Sequence, residues 1–500
     1  MKISVKGELK RRLELSFDRL SQDEYRLHID RQRDSGGWPG DWEGRAILAQ
    51  ASLAKVLGKL PFEFEKSLDK VIADIAEQGY YGNKVQNGIC DEQQLSGNSW
   101  LLSALCEYFD YSGDKRIPPM IEKMTDGLLL PCKDKYKRYP SDPNDRVVDS
   151  GGVEIGTTVT MIDDWITSSD TGCAFIMIDG ATRALQTLIN IKSAPARISN
   201  LRALIHEMAE EYFKLDFIKS CVQTHSTLSG LRGIIRLASM ENDTGLIKKC
   251  EEIANLYFHE AITENFANYN WFNRPEWTEP CAYLDSIAVC LTLFSQTKNP
   301  EYIDKMNYVY ANAVGFGQRQ NGGFGLDYCV GNTKYTRDEY LTVHFYDAAW
   351  CCTMRGGDVL SMIAEGLVSE TENGYYVTMY NDCENEALKI EGSAVTVKID
   401  MNKPLYLLIP GWANNGTAEF KEVCRPKAGD VIEMEFDGGK REERNASCVN
   451  SLGGKTRYFA GYNMLAKNLA EGTGGAALTP LDGLSMTEDD ILGCKMQVFF

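Results

Sequence analysis

Apolar residues recur at helical spacing along most of this chain. Leu101, Ala104, Leu105 and Tyr108 share one face of a first segment, and Ile178, Ala181, Leu185 and Leu188 share one face of a second. Leu284, Ile287, Leu291 and Phe294 do the same in a third. Steps of three, four and seven are the period of an amphipathic helix. The same period predicts helices near 46–58, 65–77, 117–129, 198–213, 226–240, 245–260, 300–314 and 355–366. About eleven or twelve helices between residues 40 and 366 point, by fold analogy, to paired inner and outer helices closing into a toroid.

The period changes after residue 366. Val395, Val397 and Ile399 alternate with Thr396 and Lys398, and Ile432, Met434 and Phe436 alternate with Glu433 and Glu435. Leu405 to Ile409 is a short apolar run closed by Pro410 and Gly411. A period of two with turn punctuation predicts strands, and together these predict a C-terminal antiparallel β-sandwich. The expected division is a helical domain over 1–366 and a β domain over 367–500. From Gly438 through Gly475 the pattern is loop-rich and places no strands.

Composition narrows the function classes. The formal charge is −18, from 71 acidic and 53 basic residues, which argues against a nucleic-acid surface. The first twenty residues carry charges throughout and lack an apolar signal core, and no run approaches the roughly 18 apolar residues that span a bilayer. The expectation is a cytoplasmic protein with no membrane partner; whether it forms a homo-oligomer is left open. Fifteen cysteines, an odd count in a large chain without an export signal, are expected to be mostly reduced.

Two segments could carry chemistry. The first, 264–281, is polar and aromatic and includes Glu264, Glu279, Pro280 and Cys281. Pro280 suits the first turn of a following helix. Glu279 and Cys281 stand about 200° apart on a regular helix, so they converge only at a loop-to-helix junction. The second segment begins Trp350-Cys351-Cys352-Thr353. Adjacent cysteines rarely pair with each other, but at a helix start both thiols could turn toward a metal. Glu279, Cys281, Cys351 and Cys352 would offer zinc one oxygen and three sulfurs. Spacing alone leaves the alternatives standing: buried apolar cysteines, and a solvated Glu264.

These pieces resemble the glycoside hydrolase family 127 group and relatives such as family 146, whose founding activity is β-L-arabinofuranosidase. Thr263-Glu264-Asn265-Phe266 is similar to the family's acid/base segment, Glu279-Pro280-Cys281 to its Glu-x-Cys pair, and Cys351-Cys352 to its later Cys-Cys pair. Leu408-Ile409-Pro410-Gly411-Trp412-Ala413 and Lys427-Ala428-Gly429-Asp430 are similar to its sandwich. The resemblance implies an (α/α)6 toroid followed by the sandwich. It also implies Cys351 as nucleophile and zinc ligand, Glu279, Cys281 and Cys352 as further zinc ligands, and Glu264 as general acid/base. His225 looks like a family histidine that contacts the sugar, with a capping or core role as its alternative.

The chain departs from the pattern in places. Thr353 follows the cysteine pair where relatives have proline, and Thr263 stands where they have glycine. Gly97-Asn98-Ser99-Trp100 and Ser169-Asp170-Thr171 stand where relatives place sugar-contacting histidines. Asn98, Trp100 and Asp170 are therefore candidate pocket residues, with core or capping roles as alternatives. The expected activity is retaining hydrolysis of a small glycoside or oligosaccharide. The competing expectations are another sugar enzyme on a similar toroid, such as an epimerase, and a non-catalytic protein with a structural zinc.

Overall fold

The computed structural model describes residues 2–29, 37–76, 78–82, 88–146, 158–263, 265–274, 277–325, 327–328, 348–444, 456–468, 479–480 and 496–497. Among them, twelve helices are at least eight residues long. They are α1 (Gly7–Leu20), α2 (Asp41–Leu57), α3 (Phe64–Ala76), α4 (Glu92–Ser112), α5 (Ile117–Met124) and α6 (Met177–Asn190). The series continues with α7 (Pro195–Tyr212), α8 (Thr224–Glu241), α9 (Thr244–Glu260), α10 (Pro280–Thr297), α11 (Pro300–Val309) and α12 (Cys351–Gly366). Their starts follow local chemistry. Asp91 caps α4 by accepting from the backbone N–H of Gln93 and Gln94, Asp243 caps α9, and Asn299 caps α11. Proline opens α7, α10 and α11, where no N–H is needed.

The helices sort into two sets by burial. From Glu92 to Tyr108 every residue of α4 is buried, and so is every residue of α10 from Pro280 to Cys290. By contrast α9 buries only Cys250, Ala254 and Tyr257, one stripe at steps of four and three. The buried set packs in cyclic order: α2 on α4, α4 on α6, α6 on α8, α8 on α10, α10 on α12, and α12 back on α2. Close approach is built into the sequence. A Cβ on Gly44 of α2 would stand 2.2 Å from the Leu101 backbone nitrogen of α4, and one on Gly233 of α8 would stand 2.6 Å from Ile178 of α6. Outside this set lie α1 against α12 and α2, α5 against α4, α7 against α6, α9 against α8 and α10, and α11 against α10.

Helix α1 lies before residue 40, where no helix was expected. Its buried Leu9, Leu13, Ser16 and Leu20 follow the helical period, but Arg and Glu residues between them mask the stripe.

After α12 the chain forms small sheets. One contains Cys383–Glu384, Leu388–Glu391, Ala394–Val397 and Val431–Glu433, and its outer strand is Ser4–Val5 from the start of the chain. Val395 and Val397 point inward as their alternation requires, but the strand ends there and Ile399 is 40% exposed. A second sheet has the order Glu419–Val423, Leu405–Ile409, Tyr375–Val377, Val368–Glu370. Its central pair, Leu405–Ile409 with Tyr375–Val377, is parallel, so this sheet is mixed, whereas the pairs of the first sheet are all antiparallel as expected. The crossover is available because the hairpin 388–397 intervenes between the two strands. A third sheet uses Lys440–Arg444, Thr456–Ala460 and Asn463–Asn468, within a stretch where the sequence pattern placed no strands. It docks on the helical part, where Asn312 donates to the Tyr462 carbonyl and Phe266 and Phe459 flank Tyr308.

Candidate active site

Helices α10 and α12 begin side by side. Pro280 and Cys281 are the first two residues of α10, and Glu279 precedes them in an extended conformation, φ −105° and ψ 114°. That extended residue removes the angular conflict of a regular helix, so both side chains reach one point. Cys351 and Cys352 are the first two residues of α12. Ligand atoms of Glu279, Cys281, Cys351 and Cys352 all lie within 4.8 Å of one another.

The donor set fits a tetrahedral ion. The sulfur separations are 3.8 Å for Cys281–Cys351, 3.4 Å for Cys281–Cys352 and 3.9 Å for Cys351–Cys352. Sulfurs about 2.3 Å from a common centre at tetrahedral angles stand about 3.8 Å apart. Sulfur–sulfur bonds, at about 2.05 Å, are far shorter. Cys281 and Cys352 are buried, whereas Cys351 is partly exposed.

The three thiols titrate differently. Hydrogen bonds from Cys281 and Cys352, joined by the Arg45 guanidinium, outweigh burial and hold Cys351 well below the usual thiol range. Burial, reinforced by the neighbouring sulfurs, pushes Cys281 up, and burial does the same to Cys352 and to the Glu279 carboxyl. The place of Cys351 in the first turn of α12 also favours a thiolate there.

Beneath the cluster lies a buried ionic network set by helical spacing. Asp285 is four residues after Cys281 and Arg355 four after Cys351, so each sits one turn below its cysteine. The Arg355 guanidinium donates to Asp285 Oδ1 at 2.6 Å, tying α10 to α12. Arg232 joins Asp285 at 3.2 Å and Asp179 at 3.0 Å, and Arg355 pairs with Asp358. On the other oxygen, Asp285 accepts from Ser229 at 2.6 Å and from His225 Nδ1 at 2.7 Å. His225 Nε2 lies 3.0 Å from Arg45 Nη2. A carboxylate only accepts and a guanidinium only donates, so a neutral ring with its proton on Nδ1 satisfies both. Burial, with help from Arg45, holds the His225 pKa below its usual value in agreement.

Arg45 links this network to the sulfurs. Its Nη1 lies 3.7 Å from Cys281 Sγ, its Nε donates to Asp41 at 2.8 Å, and its guanidinium covers the Trp100 ring at 4.0 Å. Burial raises the Asp41 pKa to about 6 despite Arg45. Neither residue was singled out by the sequence reading. The available signal was Asp41 and Arg45 at a spacing of four at a helix start, which is also the pattern of any surface ion pair.

The remaining candidates have these places. Trp100 is buried and stacks on His225 at 5.6 Å and 7°. Asn98 is buried with its amide spent on backbone: Oδ1 accepts from Tyr81 N, and Nδ2 donates to the Tyr81 and Gln94 carbonyls. It fastens the 80–82 turn to α4. Asp170 is buried, accepts from the Trp271 indole at 3.0 Å, and is raised by burial to about 6. Glu264 lies outside the described residues. Its neighbours are firmly held: Thr263 bonds Asn265 at 2.7 Å, and Phe266, at φ 62°, stacks on Tyr308 at 4.8 Å. A left-handed aromatic residue is costly and persists only where packing enforces it.

No protein-family model matches the chain, and no curated protein matches its sequence. Solved structures match its fold. A GH127 β-L-arabinofuranosidase from Geobacillus stearothermophilus T6 superposes with TM-score 0.66 at 14% identity, covering 94% of this chain and 87% of that one. A second GH127 β-arabinofuranosidase gives TM-score 0.69 at 13% identity, covering 94% and 85%. A further glycoside hydrolase gives 0.64 at 13%, covering 93% and 82%. At such identities the likeness speaks for the fold.

Proposed function

We propose that this chain is a retaining glycoside hydrolase of the β-L-arabinofuranosidase type, with a zinc-thiolate site and a small glycoside or oligosaccharide as substrate. The observation that carries the proposal is the meeting of Glu279, Cys281, Cys351 and Cys352 from two distant stretches around one point. The fold likeness to GH127 arabinofuranosidases supports it. We read the cyclic order of six buried helices, with the others outside, as an (α/α)6 toroid over 1–366, followed by a β-sandwich domain over 367–500.

Glu279, Cys281, Cys351 and Cys352 would hold the zinc, and when bound it keeps Cys351 ionised at neutral pH. Cys351 is the partly exposed sulfur, hence the one a sugar can reach. Its Sγ forms a bond to the anomeric carbon while the glycosidic C–O bond breaks and Glu264 protonates the leaving oxygen. Water then gives a proton to Glu264, its oxygen bonds the same carbon, and the C–S bond breaks to return the Cys351 thiolate. Two inversions give net retention. Arg45, Asp285 and His225 support the thiol cluster through the network beneath it, and His225 remains the candidate sugar-contacting histidine.

The test is metal analysis of the purified protein beside an aryl glycoside panel led by the β-L-arabinofuranoside. The expected result is one zinc per chain and a product of retained configuration. Zinc without hydrolysis of any furanoside or pyranoside would leave a structural metal and end the enzymatic reading. Hydrolysis by metal-free protein would end the zinc-thiolate one.

A further inference from the structure

A cavity of about 400 Å³ lies away from the thiol cluster, in the β region. Its walls come from the two outer strands of two different sheets. Lys421 belongs to Glu419–Val423, the edge of one sheet, and Glu433 to Val431–Glu433, the edge of the other. Chain following Glu433 adds Glu435 and Phe436, and the turn after Ile409 adds Trp412. Trp412 and Phe436 meet edge-on, ring centroids 5.8 Å apart at 69°, and both are half-buried. Lys421, Glu433 and Glu435 are exposed.

We propose that this cavity is a second saccharide-binding site, taking a short neutral sugar chain. Its size falls at the small end of ligand sites, roughly 300–1,000 Å³. A sugar ring presents C–H groups on its faces and hydroxyls around its rim. Trp412 and Phe436 supply apolar aromatic surface for the former on the parts of the rings not packed against Tyr462, Arg441 and Tyr380. Carboxylates that only accept and an ammonium that only donates pair with hydroxyls, which do both. Asp437 joins the two glutamates on the rim, so three carboxylates line the cavity with one lysine, and the Arg441 guanidinium lies 5.6 Å from the Trp412 ring, which leaves one negative charge in excess. That surplus of negative charge repels uronates and sugar phosphates and selects a neutral saccharide. The choice of a sugar as ligand class rests on the glycosidase reading. The site would hold a substrate chain on the β region while its end is cleaved elsewhere.

Met434 is buried in the cavity wall and gives a reporter that does not depend on catalysis. With the full-length protein carrying 13C-methyl methionine, the Met434 methyl resonance is assigned by Met434→Leu. It is then followed on adding an arabino-oligosaccharide, galacturonic acid or 1,4-diaminobutane. The proposal expects a saturable Met434 shift with the neutral oligosaccharide alone. It expects affinity about tenfold weaker in Trp412→Ala and in the exposed pair Lys421→Ala/Glu433→Gln, which leaves the packing intact. Hydrolysis of a simple aryl glycoside should be unchanged in the Lys421/Glu433 variant. A silent Met434, a shift unaffected by that variant, or equal response to the uronate or the diamine overturns the proposal. Aryl glycoside hydrolysis is scored in the same preparations. Failure of the glycosidase reading therefore shows as lost turnover with Met434 still responsive, and failure of this site as turnover with Met434 silent.

Discussion

Asp285→Asn removes one negative charge from the centre of the network without changing its shape. The wild-type carboxylate receives Ser229, His225, Arg232 and Arg355, and all but the two histidine and serine contacts are to permanent cations. Asp285, Arg232 and Arg355 side chains are at most 2% exposed. Breaking a buried pair by removing one partner costs about 3–5 kcal/mol. Asp179 and Asp358 stay in place beside the arginines, which argues for the lower end. The new N–H2 is best placed on the Oδ2 side, where the Ser229 hydroxyl can accept but His225 Nδ1 donates, so one donor–donor contact adds to the cost. We therefore expect a loss of at least about 3 kcal/mol at pH 7, read as a lower denaturation midpoint by far-UV circular dichroism. Pairing it with Arg355→Met removes a stranded cation, so the double variant should lose less than the sum by about 1–3 kcal/mol. The pH dependence adds a check. Burial would raise Asp285, but Arg355 and Arg232 outweigh it and hold the group far below the usual carboxylate range. A folded pKa below the unfolded value of about 3.9 stabilises above that pH and is lost as pH falls through it. Asp285→Asn should flatten that acid limb. A loss under about 1 kcal/mol, strict additivity with Arg355→Met, or an unchanged acid limb would refute the network as described.

Cys281→Ser should reduce bound zinc to well under one per chain while far-UV circular dichroism shows the helices retained, checked by elemental analysis. Glu264→Gln should lower aryl glycoside turnover by roughly 10²–10⁴-fold with zinc content unchanged; full activity would remove Glu264 from the acid/base role. Asp170 is held near 6 by burial, so the folded chain binds more protons than the unfolded one between about pH 4 and about 6, and stability falls as pH rises through that window. Asp170→Asn cannot ionise and should reduce that slope, Asp41 keeping its own share, while keeping the Trp271 bond; an unchanged slope in denaturation against pH would sink the assignment. Gly44→Ala should cost about 1–3 kcal/mol or more, because its new carbon meets Leu101 backbone at 2.2 Å, and wild-type thermal stability would show the helix crossing to be looser.

Much of the helical part was legible because each buried helix carries its own period, as in Leu284, Ile287, Leu291 and Phe294 on α10. Cyclic packing was not, since no local pattern says which helix Gly44 will touch. The four cluster residues were legible as two short segments, but their meeting depends on α10 and α12 starting at the same end, a property of tertiary packing. Asp285 and Arg355 were within reach of a simple rule, one turn beyond Cys281 and Cys351, yet a buried charge looks like a surface one in sequence. Asn98 shows the converse: a polar residue in a suggestive place spends its amide on Tyr81 and Gln94. Strands 440–444 and 456–460 escaped notice because Lys440, Arg441, Glu442 and Glu443 form a charged run, with Phe459 buried opposite Arg441.

The pairing of Ser4–Val5 with Cys383–Glu384, and of α1 with α12, bears on how the protein is made. During synthesis Ser4–Val5 is made long before its strand partner, which is complete only once synthesis has passed Glu384, whereas α1 can already meet α2. The first strand therefore cannot be placed until most of the chain has been made. A chain stalled before Cys351 would leave the first strand unpaired and the α12-facing side of α1 uncovered, open to chaperones and proteases.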